Sequence, residues 1–421
     1  MTTSTTRHLV HAKPAFVLLA ALLVCPAAPA QTFQVLHNFT GGRDGANPYG
    51  GLAMDRAGNL YGTASTGGNQ ISGCNNDGAT GCGAVFELSR AGSGWILKPL
   101  YDFQGGNDFG GPGYGVVIGP DGALYGISRG AGNCVSEYDC GAVFRLAPPP
   151  TRCAGFSCSW QETVLHQFGG MPDGSDASSP VIFDGAGNLY GVTYVGGANN
   201  VGAVYQLSPD HGSWTENVIY SFTTEMDDHT VHYPQDRLAI DPMGNVYGAA
   251  GCNQTLGCFY GAVWQLQPSP SGWTLNTLYQ FNGSDGYGPH GVFRDPVGNI
   301  YGVTYGGSGN ESGTIYELSP SNGGWIYGLV YDFGFEDNAS GLVMDSAGNL
   351  YGVYRAQFDP GYVFKLTRVG NGWVFSTLHT FNGFDGAYPE GQVVLDGEGN
   401  LYGTTISGGT SNNGVVWEIT P

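Results

Sequence analysis

One phrase recurs seven times along this chain. It is an apolar run, then Asp-x-x-Gly-Asn, then Leu-Tyr-Gly, with its tyrosine at Tyr61, Tyr125, Tyr190, Tyr247, Tyr301, Tyr351 and Tyr402. Successive tyrosines lie 50 to 65 residues apart, the early units being lengthened by insertions. A repeat of this period marks one supersecondary unit that cannot bury its apolar faces alone and must pack against its copies. The 73 glycines recur in register with the phrase, so they read as turn chemistry rather than low complexity.

Each unit reads as four strands. Strand A is a short run apolar on both faces, as in Gly341–Asp345, which is the pattern of a strand covered on both sides. Strand B follows the Gly-Asn turn, as in Asn349–Val353. Strand C is the Gly-Ala-Val-Phe segment, as in Gly83–Leu88, and strand D runs between two aromatics, as in Trp95–Phe103. Between A and B, the Asp offers a turn acceptor and the Gly supplies a positive φ. Unit two has Gly119 and Ala123 in place of the Asp and Asn, but keeps Asp121-Gly122.

Only six strand D segments follow a strand C. The missing one stands at the other end, where Phe33–Phe39 (FQVLHNF) resembles Phe375–Phe381 (FSTLHTF). The expected fold is therefore all-β: a seven-bladed β-propeller of four-stranded blades, occupying residues 31–421 as one domain. Its N-terminal strand completes the last blade, so the ring has no open inner edge.

The phrase Gly-Leu-Val-x-Asp-x-x-Gly-Asn-Leu-Tyr-Gly, followed by Gly-Val-Val-Phe-like segments, resembles the GloVer-type tandem repeat of bacterial exported proteins. Asp396–Trp417 and Gly341–Leu366 match best. The resemblance implies export and repeat architecture and no particular reaction. Members often carry a surface-anchor tail, and its lack here implies release.

Residues 1–30 read as a secretory leader. Arg7 and Lys13 form the charged start, Ala15–Val24 the short apolar run, and Ala28-Pro29-Ala30 the cleavage pattern. Cys25 falls in the leader. No later stretch is long enough to span a membrane. The expected location is extracellular or periplasmic. With 14 Lys+Arg against 34 Asp+Glu and a net charge of -20, nucleic acid and anionic membranes are poor partners. A glycan or protein ligand, a cation and a monomeric state fit better.

The other eight cysteines form four close pairs: Cys74/Cys82, Cys134/Cys140, Cys153/Cys158 and Cys252/Cys258. Even, local pairing in an exported chain reads as disulfides. Zinc is the alternative, although no Cys-x-x-Cys spacing occurs.

In a propeller the D–A and B–C loops share one face. The D–A loops carry Asp44, Asp108, Asp173, Asp228, Asp285, Asp337 and Asp385. They could attract Ca²⁺, but sevenfold repetition favours local turn bonding. Function is better sought where the repeat breaks. The fourth residue after each repeat tyrosine reads Ser65, Arg129, Tyr194, Gly251, Tyr305, Arg355 and Ile406. Arg129, Tyr194, Tyr305 and Arg355 would suit a polar or carbohydrate ligand, joined by His290 and Glu390 from the D–A loops. Asp228, His229 and His232 form a candidate site for Ca²⁺ or another divalent ion. Arg294, the one charge in a strand A core, is expected to be salt-bridged between blades or to line the channel. His37, His166 and His379 share a strand D position with tyrosines and read as packing residues. Gly126-Ile127-Ser128-Arg129-Gly130 fits the nucleophile-elbow pattern, but that motif needs a helix not expected here.

No catalytic constellation emerges, so an exported, non-catalytic binding module acting through the D–A/B–C loop face is the leading expectation. The alternatives are a metal-dependent lactonase- or lyase-like enzyme at the channel mouth and a structural cell-surface protein.

Overall fold

The computed structural model describes residues 31–69, 81–105, 110–129, 141–150, 159–223, 232–251, 260–307, 313–334, 337–356 and 359–421. Seven antiparallel sheets stand in a ring, a seven-bladed β-propeller with no helix among the described residues. Each blade runs A, B, C, D outward; blade one is Ala53–Met54, Leu60–Ala64, Ala84–Ala91 and Gly94–Asp102. Blade three departs, because its inner edge is split into Ser175–Ala177 and Ile182–Phe183, both paired to Leu189–Val195. In blades five to seven the inner strand is continuous through that region, as in Tyr287–Arg294.

The ring closes as the repeat count requires. Thr32–Asn38 pairs antiparallel with Val415–Thr420, setting Phe33 opposite Ile419, Val35 opposite Trp417 and His37 opposite Val416. The segment 32–38 is thus the outer strand of the last blade, and the sheet edge it covers is the one that would otherwise invite foreign pairing.

The core lies between blades. Tyr301, Val303 and Ile315 of blade five pack with Leu350, Phe364 and Leu366 of blade six in one buried cluster. That is why strands B and C are apolar on both faces. The Gly of Leu-Tyr-Gly has a packing cause: a Cβ at Gly62 would fall 2.5 Å from Cζ of Phe86, and one at Gly352 2.6 Å from Cζ of Phe364. The strand C aromatic lies across strand B, and only hydrogen leaves room.

The repeated Asp and Tyr form one network. In blade six Asp345 Oδ1 accepts from the backbone N–H of Ala347 and Asn349 (2.9 and 2.8 Å), while Oδ2 accepts from Asn349 Nδ2 (2.7 Å) and the Tyr351 hydroxyl (3.0 Å). Burial alone would raise these carboxyls. The hydrogen bonds prevail and hold Asp55, Asp184, Asp241, Asp345 and Asp396 below the ordinary carboxylate range. Blade two substitutes Asp121, which accepts from Ala123 N (3.1 Å) and the Tyr125 hydroxyl (3.0 Å).

The D–A aspartates within the described side chains bond their own loops. Asp44 accepts from Thr40 N, Asp173 from Gly169 N, Asp285 from Asn282 N and Asp385 from Asn382 N, all at 2.8–2.9 Å. His37, His166 and His379 each sit edge-on to the strand D phenylalanine at 4.9–5.0 Å and reach the loop aspartate, so they pack and brace at once. Arg294 takes neither expected role. It forms no ion pair among the described residues; its guanidinium lies 6.0 Å from the Tyr247 ring centre in the neighbouring blade, with Nε buried and unbonded.

Of the eight paired cysteines only Cys82 lies within the described residues, buried in a cluster with Val85, Leu100 and Phe103. The expected partners and pairs Cys74, Cys134/Cys140, Cys153/Cys158 and Cys252/Cys258 all lie outside the described residues. They fall in the insertions that lengthen units one, two and four. No helix among the described residues is long and apolar enough to cross a membrane.

Candidate functional site

On the ring axis the seven inner strands enclose a cavity of about 420 Å³, to which every blade contributes. That is within the size range of small-ligand sites. Each D–A loop delivers its residues the same way. A Pro or Ala (Pro48, Pro112, Ala177, Pro234, Pro289, Ala339, Pro389) stands before or within the first part of the inner strand, and the five prolines abut the glycine that opens a neighbouring strand C. The residue before the Pro or Ala has a left-handed backbone in Asn47 (φ 52°), Gly111 (61°), Asp176 (54°), Tyr233 (56°), Gly288 (60°) and Tyr388 (55°). This tight bend aims the next residues at the axis.

Five of the six expected ligand-binding candidates line this cavity: Arg129, His290, Tyr305, Arg355 and Glu390. Tyr194 does not, because its ring stacks on Tyr233 at 4.8 Å. On one side Arg355 Nη1 donates to Glu390 Oε2 at 2.6 Å, Tyr49 bonds to both, and the guanidinium lies 5.8 Å from the centre of the Tyr388 ring. Burial holds the Glu390 carboxyl above the ordinary range against the opposing pull of Arg355 and Tyr49, and also raises the Tyr49 hydroxyl. Across the cavity Arg129 pairs with Asp176 at 3.5 Å and lies 5.7 Å from the centre of the Tyr114 ring, whose hydroxyl burial pushes up to about 12. His290 stacks on Tyr305 at 4.1 Å and 19°. Burial pushes this imidazole below its ordinary value, outweighing the nearby Asp236, and the ring reaches the Gly288 and Ala339 carbonyls.

Four wall residues escape sequence reasoning based on strand B ends: Tyr49, Tyr114, Asp236 and Arg237. A signal for Arg237 was present. Four residues before the turn position stand Gly51, Gly115, Pro180, Arg237, Gly291, Gly341 and Gln392, and only one is charged.

For the expected metal site, Asp228 and His229 lie outside the described residues, while His232 is buried with Nδ1 unbonded. The cation-sized ligand set among the described residues is His166, Asp173 and Glu216, between strands D of blades two and three and away from the cavity. Ser128 of the elbow-like pattern ends a strand, Leu124–Ser128, with its side chain buried.

The propeller resembles solved structures of low sequence identity, a likeness of fold alone. A streptogramin B lyase matches with a TM-score of 0.57 at 11% identity, covering 93% of this chain and 97% of the other. An ulvan lyase, from a new family of polysaccharide lyases and bound to GlcA(1-4)Rha3S, matches with a TM-score of 0.54 at 10% identity over 90% and 94%. A surface component of the type-IX secretion system of Porphyromonas gingivalis matches with a TM-score of 0.51 at 13% identity over 89% and 46%. No curated protein matches in sequence. The model of the Gloeobacter/Verrucomicrobia repeat matches residues 71–260 and again 234–421, which together take in most of the chain, all of it built on the repeat described above. The chain belongs to the Gloeobacter/Verrucomicrobia repeat family.

Proposed function

We propose that this chain is an exported binding propeller that grips a saccharide in its axial cavity. The observation that carries the reading is convergence. Arg129, His290, Tyr305, Arg355 and Glu390 each break the repeat, come from four different blades, and line one 420 Å³ cavity. Residues that only hold a blade together recur in every blade. Those that differ and yet meet have a shared task outside the fold. Tyrosine faces beside planar guanidinium donors are the equipment of carbohydrate recognition. A protein partner would need a broad face of roughly 800 Å², whereas this site is concave. An oligosaccharide array followed by calorimetry tests it: a saccharide binds saturably to the wild type and more weakly to Tyr305→Ala. Absence of any saccharide ligand overturns it.

A catalytic reading has one observation in its favour. Burial moves Glu390 up and His290 down from their ordinary values, so the proton affinities of two titratable groups in one cavity are drawn towards each other. Product release from the bound saccharide, lost in both Glu390→Gln and His290→Gln, would decide for it. Loss of activity on chelation would favour a metal-dependent lactonase- or lyase-like form.

Export rests on the leader at residues 1–30 and on the four cysteine pairs. Amino-terminal sequencing of secreted protein is expected to find Gln31 first. Non-reducing peptide maps are expected to join Cys74 to Cys82, Cys134 to Cys140, Cys153 to Cys158 and Cys252 to Cys258.

A further inference from the structure

We infer that the saccharide carries an acidic substituent, a carboxylate or a sulfate ester, and that Arg237 is the residue that pairs with it. This rests on the saccharide-binding reading and narrows it.

The other two cavity arginines are already engaged. Arg129 is held by Asp176 and Arg355 by Glu390, the latter with a 2.6 Å bond. Both are therefore compensated before any ligand arrives. Arg237 is not. Among the described residues its guanidinium makes no ion pair and no side-chain hydrogen bond, and it lies 5.9 Å from the centre of the Phe293 ring. Asp236 opposes the desolvation of Arg237 through its charge but makes no direct side-chain bond to the guanidinium. Asp236, held at φ 66°, spends Oδ1 on the backbone N–H of Arg237 (2.8 Å), and its Oδ2 lies against Gly291.

Arg237 is half-buried on the cavity wall, and desolvation is the main influence on it. A guanidinium keeps its proton under such conditions, so the site carries a fixed positive charge with unused donors. Holding a charge there without a direct partner is unfavourable. A blade needs no such residue here, since the equivalent places in other blades are Gly51, Pro180, Gly291 and Gly341. The position lines the cavity in all of these. In a chain of net charge -20, an unpaired arginine on the axis is a local reversal of sign. It offers a planar fork that matches a carboxylate or sulfate in two-point contact. The tyrosines around it favour that acid group being borne on a sugar rather than on a peptide.

The test is calorimetry on the full mature chain with four probes of similar length: a neutral oligosaccharide, a uronate oligosaccharide, a sulfated oligosaccharide and a polyglutamate peptide. The expected result is binding of the uronate or the sulfated probe, whichever acid group the site takes, at least tenfold tighter than the neutral one. Arg237→Met should lose that preference and Arg237→Lys should recover part of it. Thermal unfolding supplies a second readout, because removing a half-buried charge without a direct partner should leave Arg237→Met at least as stable as the wild type. A structural arginine would instead lower the unfolding temperature. Binding of the neutral probe with no loss in Arg237→Met overturns this inference and leaves the saccharide reading standing. Binding of the peptide alone, or of no probe, overturns both.

Discussion

The ring of Phe33 lies flat on the imidazole of His379, centroids 3.5 Å apart and planes 3° from parallel. Phe33 belongs to the strand that completes blade seven, and His379 to the outer strand of blade six. The contact therefore fastens the returning N-terminal segment not only to its own sheet but also across the seam to the neighbouring one. Phe33→Ala should cost about 2–3 kcal/mol, as expected for a half-buried aromatic. It should also speed proteolysis in the Thr32–Asn38 segment. Unchanged denaturant midpoints and unchanged nicking would show that the seam does not depend on this stack.

Turn aspartates make stability depend on acid. Each of Asp55, Asp184, Asp241, Asp345 and Asp396 has a folded value below its unfolded one. Their contribution is thus complete above the ordinary carboxylate range, about pH 4, and is lost as pH falls through the lowered native values. Asp345→Ala should cost about 2 kcal/mol at pH 7 by stranding Asn349 and Tyr351, and much less at pH 2. Equal losses at both pH values would contradict the assignment.

Gly62 faces the ring of Phe86 and the Leu52 side chain, with a Cβ falling 2.5 and 2.9 Å from them. Gly62→Ala is expected to cost about 1–3 kcal/mol through overpacking, and Phe86→Leu in the same chain should recover part of it. Additive losses in the double variant, measured by urea titration, would refute the steric account.

Tyr388 holds a left-handed backbone at φ 55° beneath Arg355. Gly at this position should relieve up to about 1 kcal/mol of strain while removing the ring that steadies the guanidinium. Tyr388→Gly is therefore expected to unfold no earlier than wild type yet bind saccharide less tightly. A drop in stability without a change in affinity would make Tyr388 a fold residue only.

Tyr305 is 38% exposed at the cavity and is stacked from behind by His290. Tyr305→Ala should weaken saccharide binding about tenfold, the scale of one lost aromatic face, with little effect on unfolding temperature. Tyr305→Phe should keep most of the affinity if stacking dominates, and a loss equal to that of Ala would point to the hydroxyl instead.

Much of the architecture was written in the order of residues. The seven Leu-Tyr-Gly phrases set the blade count, and the likeness of Phe33–Phe39 to Phe375–Phe381 identified the closing strand, because strand pairing and turn formation obey local rules of period and φ. Repetition likewise showed that the D–A aspartates serve their own turns. The cavity was legible in part. Arg129, Tyr305, Arg355, His290 and Glu390 stood out as departures from a repeated frame, whereas Tyr194 stood out equally and turned instead onto Tyr233. Nothing in a one-dimensional pattern distinguishes a side chain that meets its neighbour from one that meets the axis.

What the ring alone decided was company. Asp176 finds Arg129, Glu390 finds Arg355, and among the described residues Arg237 makes no ion pair although Asp236 is its neighbour in sequence. Those outcomes depend on left-handed loop bends and on blades some fifty to sixty-five residues apart being brought to one axis. The sequence by itself determined how many sheets form and where the circle is latched, since each of those steps is settled within a unit. The closed tertiary structure determined which charges are cancelled and which remains, since that is a property of distances across the circle.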